Sequence, residues 1–388
     1  MKGLLPLIGL VICVFIFNMS EFMPIGLLTG ISVDLGVSES QAGLIISMYA
    51  WAVAILSLPL MLVLRKMEYR RMLLMCVALF AAFQALSGIS DSYWMLMISR
   101  IGVAVAHSIF WSIATPLAVS VVEPSYRRAA ISLIAVGTSL AMVIGLPLGR
   151  VIGLALGWRM SFIAICAIAV VALILLLIVF PRVENPGTFT LGRVPELFRN
   201  RVLMGFFVAE VLVVIGMFTA YSYIEPFLNG YAGLPENDVT MILTVYGLSG
   251  IIGSVLFSRK GGDHRIGILL MAFAGSCLAL FLLLPSSALM IAVMLVIAFW
   301  GVCYTSFNVS MQNEVLKVIP NDSFAIVMAL FSALYNVGIA TGTIMGGLVT
   351  DSIGIQYIGV VGGCFIAAST MLLVFYLVGK MRAQTSTA

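Results

Sequence analysis

Three ionisable side chains lie within long apolar runs of this chain, and their types suit proton chemistry. Glu21 lies in the stretch FIFNMSEFMPIG, where it is the one charged residue between Lys2 and Asp34. Arg100 and His107 lie seven residues apart in another apolar run, so a helix places them on one face. A charged group in hydrocarbon costs at least about 2.5–3.5 kcal/mol. Because burial favours the neutral forms of a carboxyl group and an imidazole, we predict that Glu21 and His107 exchange protons while Arg100 balances the charge.

Aromatic rings interleaved with amides form a second group of candidate residues. Rings offer stacking surfaces and amides offer paired donors and acceptors, which suits a sugar or an amphipathic drug. Helical spacing places these residues on shared faces, most clearly at steps of four from Trp300 to Gln312. The alternative for any one of them is a polar group that bridges two helices and contributes about 0.6 kcal/mol. The predicted substrate contacts are Asn18, Tyr49, Trp111, Tyr221, Tyr223, Glu225, Tyr304, Asn308, Gln312, Tyr335 and Asn336.

Membrane-spanning helices must position these residues. The chain is 62% hydrophobic and 9% charged, whereas soluble domains carry about 25% charged residues. A spanning helix needs roughly 20 apolar residues, and this length predicts twelve spans at 4–31, 41–64, 72–90, 93–121, 129–156, 158–180, 202–229, 239–258, 266–284, 288–313, 323–349 and 357–379. The long connection 181–201 then divides an all-α membrane protein into an N-terminal six-helix bundle (1–180), a linker (181–201) and a C-terminal six-helix bundle (202–388).

The distribution of basic residues predicts the orientation of these spans. Seventeen of the 20 lysine and arginine residues fall in alternate loops that begin at the N-terminus, while the opposite loops hold only Arg159. The positive-inside rule therefore predicts a multi-pass protein in the lipid bilayer with both termini and the linker in the cytoplasm. The net charge of +4 is an orientation signal, and no nucleic-acid partner is predicted.

The two halves of the sequence echo each other. Glycines of span 5 at 137, 145 and 153 recur in span 11 at 338, 346 and 354, each shifted by 201 positions. Tyr49 and Ser57 recur as Tyr246 and Ser254, and the proline after Glu21 recurs after Glu225. These repeats predict two pseudo-symmetric six-helix units that meet at a midplane cavity, which is a transporter architecture.

Enzymatic and metal sites find no support in the pattern of residues. The sequence holds no HExxH, no GxSxG and no histidine cluster, because His264 lies in a predicted cytoplasmic loop. The six cysteines fall within predicted spans and make no CxxC pair. The sequence therefore predicts neither a catalytic residue, nor a metal, nor a cofactor.

Span 5 carries a motif that points to a family. The run GTSLAMVIGLPLGRVIG places Gly137, Gly145, Pro147 and Gly149 in one helix, where small residues permit close approach and proline permits bending. Its GLPLG resembles the antiporter motif GxxxGPxxGG of the drug:proton antiporter branch of the major facilitator superfamily, with Leu146 in place of a glycine. The loop LRKMEYRR resembles that superfamily's basic loop signature but has Lys66 where the signature has an aspartate.

The sequence resembles bacterial sugar-efflux transporters, the arabinose exporters, more closely. The stretches that carry this resemblance are FIFNMSEFMPIGLL, ISRIGVAVAHSIFWSI, GLPLGRVIG with GWRMSF, TAYSYIEPF and MALFSALYNVGIATG. The resemblance implies a proton-coupled antiporter that exports sugars such as arabinose across the bacterial inner membrane by alternating access, and we expect a monomer. Proton-driven efflux of drugs or other small metabolites on the same fold is the alternative. Glu210 lies outside the family pattern, and we interpret it as a helix-bridging carboxylate or a second proton site.

Overall fold

Long apolar runs form helices throughout the chain, as a backbone in hydrocarbon must satisfy its own polar groups. The computed structural model describes residues 4–185, 194–260, 264–319 and 324–385. Within these ranges, twelve helices are long and apolar enough to cross a membrane, which confirms the predicted number of spans. The chain forms two compact units, Met1–Phe189 and Thr190–Ala388. Residues 186–193 of the predicted linker lie outside the described residues, so its boundaries stay a prediction.

The first unit holds six of these helices. They are α1 (Leu4–Leu35), α2 (Glu39–Leu64), α3 (Tyr69–Gly88), α4 (Tyr93–Ser120), α5 (Ala129–Leu156) and α6 (Trp158–Val179). Two of them depart from regular α geometry next to a proline. In α1 the segment Met23–Leu27 is a 3-10 turn around Pro24, and in α5 the segment Ala141–Gly145 is a π turn that precedes Pro147. Proline cannot donate to the carbonyl four residues earlier, so both helices change their hydrogen bonding at these points.

The second unit holds the other six helices. They are α7 (Arg201–Tyr221), α8 (Glu236–Phe257), α9 (Arg265–Ser286), α10 (Met290–Lys317), α11 (Ile326–Ser352) and α12 (Ile355–Arg382). The seventh span was predicted to reach 229, but α7 ends at Tyr221 and a short helix, Ile224–Pro226, and a π turn, Phe227–Tyr231, follow it. Pro226 accounts for the difference, since its ring clashes with the carbonyl of Ser222 in a continuous helix.

Each unit packs its helices in the same pairs. The principal pairs of the first unit are α1–α5, α1–α6, α2–α4, α3–α4 and α3–α6, and the second unit repeats them as α7–α11, α7–α12, α8–α10, α9–α10 and α9–α12. The repeat extends to single residues. A glycine of α5 packs against α1, and the equivalent glycine of α11 packs against α7 in the same way. The contacts are Gly137 with Val11 and Val14, and Gly338 with Val211 and Val214. The predicted internal repeat is therefore visible in the structure as an offset of 200 residues between α1 and α7.

Ion pairs occur near helix ends. In the first unit, Arg159 pairs with Asp34 at 2.5 Å and donates from Nε to the Ser90 carbonyl at 2.7 Å. In the second unit, the buried carboxylate of Glu314 accepts from Arg265 at 3.0 Å and from Lys317 at 2.8 Å. The first pair is partly exposed, whereas the Glu314 side chain is 3% exposed, so the second cluster contributes more to stability.

Candidate functional site

Pro24 of α1 frees a backbone carbonyl group that the buried Arg100 binds. Because Pro24 has no N–H, the carbonyl of Ser20 is released from the α-helical ladder. Arg100 of α4 donates from Nη2 to this carbonyl at 2.9 Å and from Nη1 to the Ser20 hydroxyl at 3.0 Å. Gln84 of α3 also donates to the Ser20 hydroxyl. Three helices therefore fix the guanidinium group next to the carboxyl-bearing residue Glu21.

Glu21, His107 and Tyr49 form a chain of titratable side chains in the first unit. The Glu21 Oε2 atom lies 3.7 Å from Nε2 of His107, and Nδ1 of His107 forms a 2.6 Å hydrogen bond with the Tyr49 hydroxyl. The side chains of Glu21 and His107 are 12% and 5% exposed. The Arg100 guanidinium lies 4.5 Å from the centroid of the Tyr49 ring, a cation–π distance. Helices α1, α2 and α4 therefore bring together an acid, a base and a hydroxyl; the base and the hydroxyl are hydrogen-bonded, and the acid lies just beyond hydrogen-bond range of the base.

Two further predicted residues flank this chain. The Trp111 ring lies 6.0 Å from the His107 ring, one helical turn along α4, and is half-buried. Asn18 is buried and donates from Nδ2 to the Val14 carbonyl of its own helix at 2.8 Å. Trp111 therefore contacts the Glu21 group through the His107 ring, whereas the Asn18 amide is hydrogen-bonded within α1.

The second unit contains an aromatic cluster formed by Tyr221, Tyr246 and Trp300. Their ring centroids are 5.0 Å apart for the two tyrosines, and 5.9 and 5.4 Å apart for Trp300 with Tyr221 and Tyr246. The Trp300 Nε1 group donates to the Met217 sulfur at 2.8 Å, which fixes the indole ring. Tyr221 and Tyr246 are half-buried and Trp300 is buried behind them, so the two tyrosines offer the ring surface and the hydroxyls on which a sugar ring or a flat apolar molecule can stack.

The other predicted contacts of the second unit occupy different surroundings. Tyr304 and Tyr335 share a hydroxyl–hydroxyl bond, and Phe218 links Tyr335 to Tyr221 through ring contacts of 6.4 and 5.8 Å. Asn308 and Asn336 each donate to the carbonyl four residues earlier in their own helix. Tyr223 and Glu225 are buried. Gln312 is exposed, which places it away from the aromatic cluster.

The repeat shows that the two units carry different chemistry at equivalent positions. An offset of 200 residues makes Glu21 of α1 equivalent to Tyr221 of α7 in the repeat. An offset of 197 residues makes Tyr49 equivalent to Tyr246 and His107 equivalent to Tyr304. The acid and the imidazole of the first unit are therefore replaced by tyrosines in the second.

The predicted antiporter-motif residues pack α5 against α1. A Cβ atom on Gly145 would lie 3.1 Å from Met19 Cβ, and one on Gly149 would lie 2.8 Å from the Met23 sulfur. Pro147 lies between them and is buried. The motif therefore contacts the same stretch of α1 that carries Glu21.

Sequence reasoning missed several members of these groups. Ser20 binds the arginine, Gln84 donates to the Ser20 hydroxyl, and Tyr246 completes the aromatic cluster around Trp300. A signal was present for Ser20, because Pro24 four residues later frees its carbonyl. Gln84 is the amide within the apolar run LFAAFQALSG, and its polarity was a signal too. The roles of Tyr246 and Trp300 depend on the packing of α8 against α10, which no local pattern reveals.

Comparison with known proteins places the fold and its family. The model of the Major Facilitator Superfamily matches residues 10–343. A bacterial homologue of the human lysosomal transporter Spinster is similar over 94% of this chain and 95% of its own, with 16% identity and a TM-score of 0.71. A D-xylose–proton symporter is similar over 97% and 98%, with 15% identity and a TM-score of 0.76. A peptide transporter is similar over 95% and 93%, with 14% identity and a TM-score of 0.76. The chain belongs to the Major Facilitator Superfamily, and it is a membrane transporter rather than an enzyme.

Proposed function

We propose that this transporter is a proton-coupled antiporter that exports sugars such as arabinose by alternating access. The observation that carries the proposal is the buried chain Glu21–His107–Tyr49, with Arg100 held beside it by Ser20. A transporter that did not use protons would have no evident need for an acid and an imidazole 3.7 Å apart inside its helices. The D-xylose–proton symporter, a structural neighbour, is a precedent for a sugar and a proton on this fold.

The proposed cycle uses the two groups of the first unit as one proton-binding pair. A proton from outside forms an O–H bond on Glu21 or an N–H bond on His107, and the sugar leaves outward. The same bond breaks when the pair faces the cytoplasm, and the proton leaves inward. The fixed guanidinium of Arg100 is proposed to balance the charge of the pair. A gradient supplies about 1.4 kcal/mol per pH unit and about 2.3 kcal/mol per 100 mV for each proton.

The sugar is proposed to bind through rings and amides of the second unit. Tyr221 and Tyr246, supported by the buried Trp300, offer the stacking surface. The protein is proposed to act as a monomer in a bacterial inner membrane with both termini in the cytoplasm, since basic residues follow the positive-inside pattern.

The test uses purified full-length protein in liposomes with an imposed pH gradient and labelled arabinose. We expect uphill arabinose flux that depends on the gradient and is abolished in Glu21→Gln, while some arabinose binding remains. Glu123→Gln is the matched control, because Glu123 is an exposed carboxylate outside the cluster. Full gradient-driven flux in Glu21→Gln would rule out the assigned role of Glu21.

Efflux of amphipathic drugs is the second candidate. The aromatic cluster and the buried Glu225 of the same unit would also suit a lipophilic organic cation. The same liposomes with a labelled lipophilic cation distinguish the two candidates. Cation flux without arabinose flux would replace the sugar in the proposal while leaving the proton-binding pair unchanged.

A further inference from the structure

Glu210 is a carboxyl group that neither the proton-binding pair nor the aromatic cluster includes. It lies in the middle of α7 and is 0% exposed. Neither of its carboxyl oxygens has a hydrogen-bond partner among the described residues. An isolated ionised carboxylate in such a place costs several kcal/mol, so this position favours the neutral acid.

The packing of the helix does not require an acid at this position. The offset of 200 that aligns α1 with α7 pairs Glu210 with Leu10, which is also 0% exposed. The adjacent contacts support the alignment, because Val11 and Val211 occupy matching places against a glycine of the partner helix. The same fold therefore accepts leucine in one unit, and the acid in the other serves a purpose other than packing.

The helices around α7 supply no fixed counter-ion. Those packed against it are α9, α10, α11, α12 and the short helix Val194–Arg199. Their charged side chains lie near helix ends and are Arg199, Arg265, Glu314, Lys317, Asp351, Lys380 and Arg382. Their other titratable side chains include Cys277, Cys303, Tyr304, Tyr335, Cys364 and Tyr376. In the described part of the chain none of these forms a hydrogen bond or ion pair with Glu210, so the proton on the carboxyl is the group that neutralises it.

The face of α7 that carries Glu210 also carries a residue that contacts the aromatic cluster. Met217 lies seven residues further along α7, on the same face and about 10 Å away along the axis. Its sulfur accepts the Trp300 N–H, and Trp300 packs on Tyr221 and Tyr246. The acid is therefore joined by one helix face to the residues proposed to bind substrate.

We propose that Glu210 is a second proton-binding carboxyl, which takes up and releases one proton per transport cycle in addition to the proton carried by Glu21 and His107. This inference rests on the proposed proton-coupled function. In each cycle the O–H bond of Glu210 breaks and its proton goes to water on one side, and the bond forms again with a proton from the other side. Two protons then drive each sugar.

The number of coupled protons is measured from the steady-state arabinose ratio across liposomes with the membrane potential clamped at zero. Each coupled proton multiplies this ratio about tenfold per unit of pH difference. We expect about 100-fold for the wild type and for Glu123→Gln, but about tenfold for Glu210→Gln. Glu210→Leu copies Leu10 of the other unit and gives the same tenfold ratio with an intact fold. A tenfold ratio in the wild type, or an unchanged ratio in both Glu210 variants, would overturn the proposal.

Infrared spectroscopy tests the same proton without any transport. The wild-type minus Glu210→Gln difference spectrum is expected to show the C=O band of a protonated carboxyl at neutral pH, and this band weakens as the pH rises. Absence of the band, or a band that no pH change alters, contradicts proton exchange at Glu210. If the wild type carries no arabinose at all, the proposed substrate fails, while this spectrum still decides whether Glu210 exchanges a proton.

Discussion

Gly346 of α11 lies so close to α7 that an alanine methyl group would collide with the backbone. A Cβ atom placed there would clash with the Thr219 carbonyl oxygen and would lie 2.6 Å from the Tyr223 ring. Its counterpart in the repeat, Gly145 of α5, has more room, because a Cβ atom there would lie 3.1 Å from Met19 Cβ and 3.3 Å from Met19 Cα. The two glycines therefore differ in how far their neighbours would have to move.

The magnitudes follow from these contacts. Overpacking costs about 1–3 kcal/mol where neighbours are rigid, and replacing glycine by alanine in a helix returns about 0.8–1 kcal/mol. Gly346→Ala is therefore expected to lose about 1–2 kcal/mol, which lowers the unfolding temperature by about 2–8 °C for a unit of this size. For Gly145→Ala the two terms nearly cancel, and the expected change is within about 1 °C.

Thermal unfolding of the purified variants, followed by tryptophan fluorescence, measures this difference. Gly267→Ala is the control, since nothing lies within 4 Å of a Cβ atom at that position. Equal losses of stability in Gly346→Ala and Gly145→Ala would refute the reasoning, because the expected difference depends on the contacts at Gly346 being the tighter ones.

Two further predictions concern single contacts of the two units. Tyr49→Phe keeps the ring under the arginine but deletes the hydroxyl that His107 binds. Leaving that histidine nitrogen unpaired costs about 1–3 kcal/mol. Gradient-driven arabinose flux is therefore expected to fall roughly tenfold to a hundredfold. Normal flux in Tyr49→Phe would remove the hydroxyl from the proton pathway. Glu314→Gln leaves two cations without their carboxylate and is expected to lower the unfolding temperature by several degrees. Asp34→Asn removes a partly exposed ion pair worth less than about 1 kcal/mol, so it is expected to change the unfolding temperature little. Unfolding temperatures of both variants at low and high salt test this contrast, and an equal effect would contradict it.

Much of the architecture could be predicted because the membrane imposes simple rules. Length and apolar character predicted twelve spans, and the structure confirms that number, with most helix ends within a few residues. The main difference, the early end of α7, has a local cause in Pro226.

The candidate site was less predictable because it depends on contacts between helices. Spacing within α4 predicted that His107 and Trp111 share a face, but that Tyr49 binds His107 follows from the packing of α2 on α4. The predicted stripe on α10 shows a second limit of spacing. Each step of four residues rotates about 40° around a helix, so Gln312 lies about 120° from Trp300, which explains its exposure.

The irregular turns of α1 and α5 give the first unit a mechanical weak point. The 3-10 turn Met23–Leu27 and the π turn Ala141–Gly145 lie on two helices that pack against each other, and both interrupt the regular ladder of hydrogen bonds. Bending stiffness is lowest where that ladder is interrupted, so each helix flexes at its own irregular turn. Glu21 stands two residues before the flexible turn of its helix, close to the pivot. A carboxyl at a pivot moves little while the outer ends of the helices swing, so it can keep its neighbours and change its access to water.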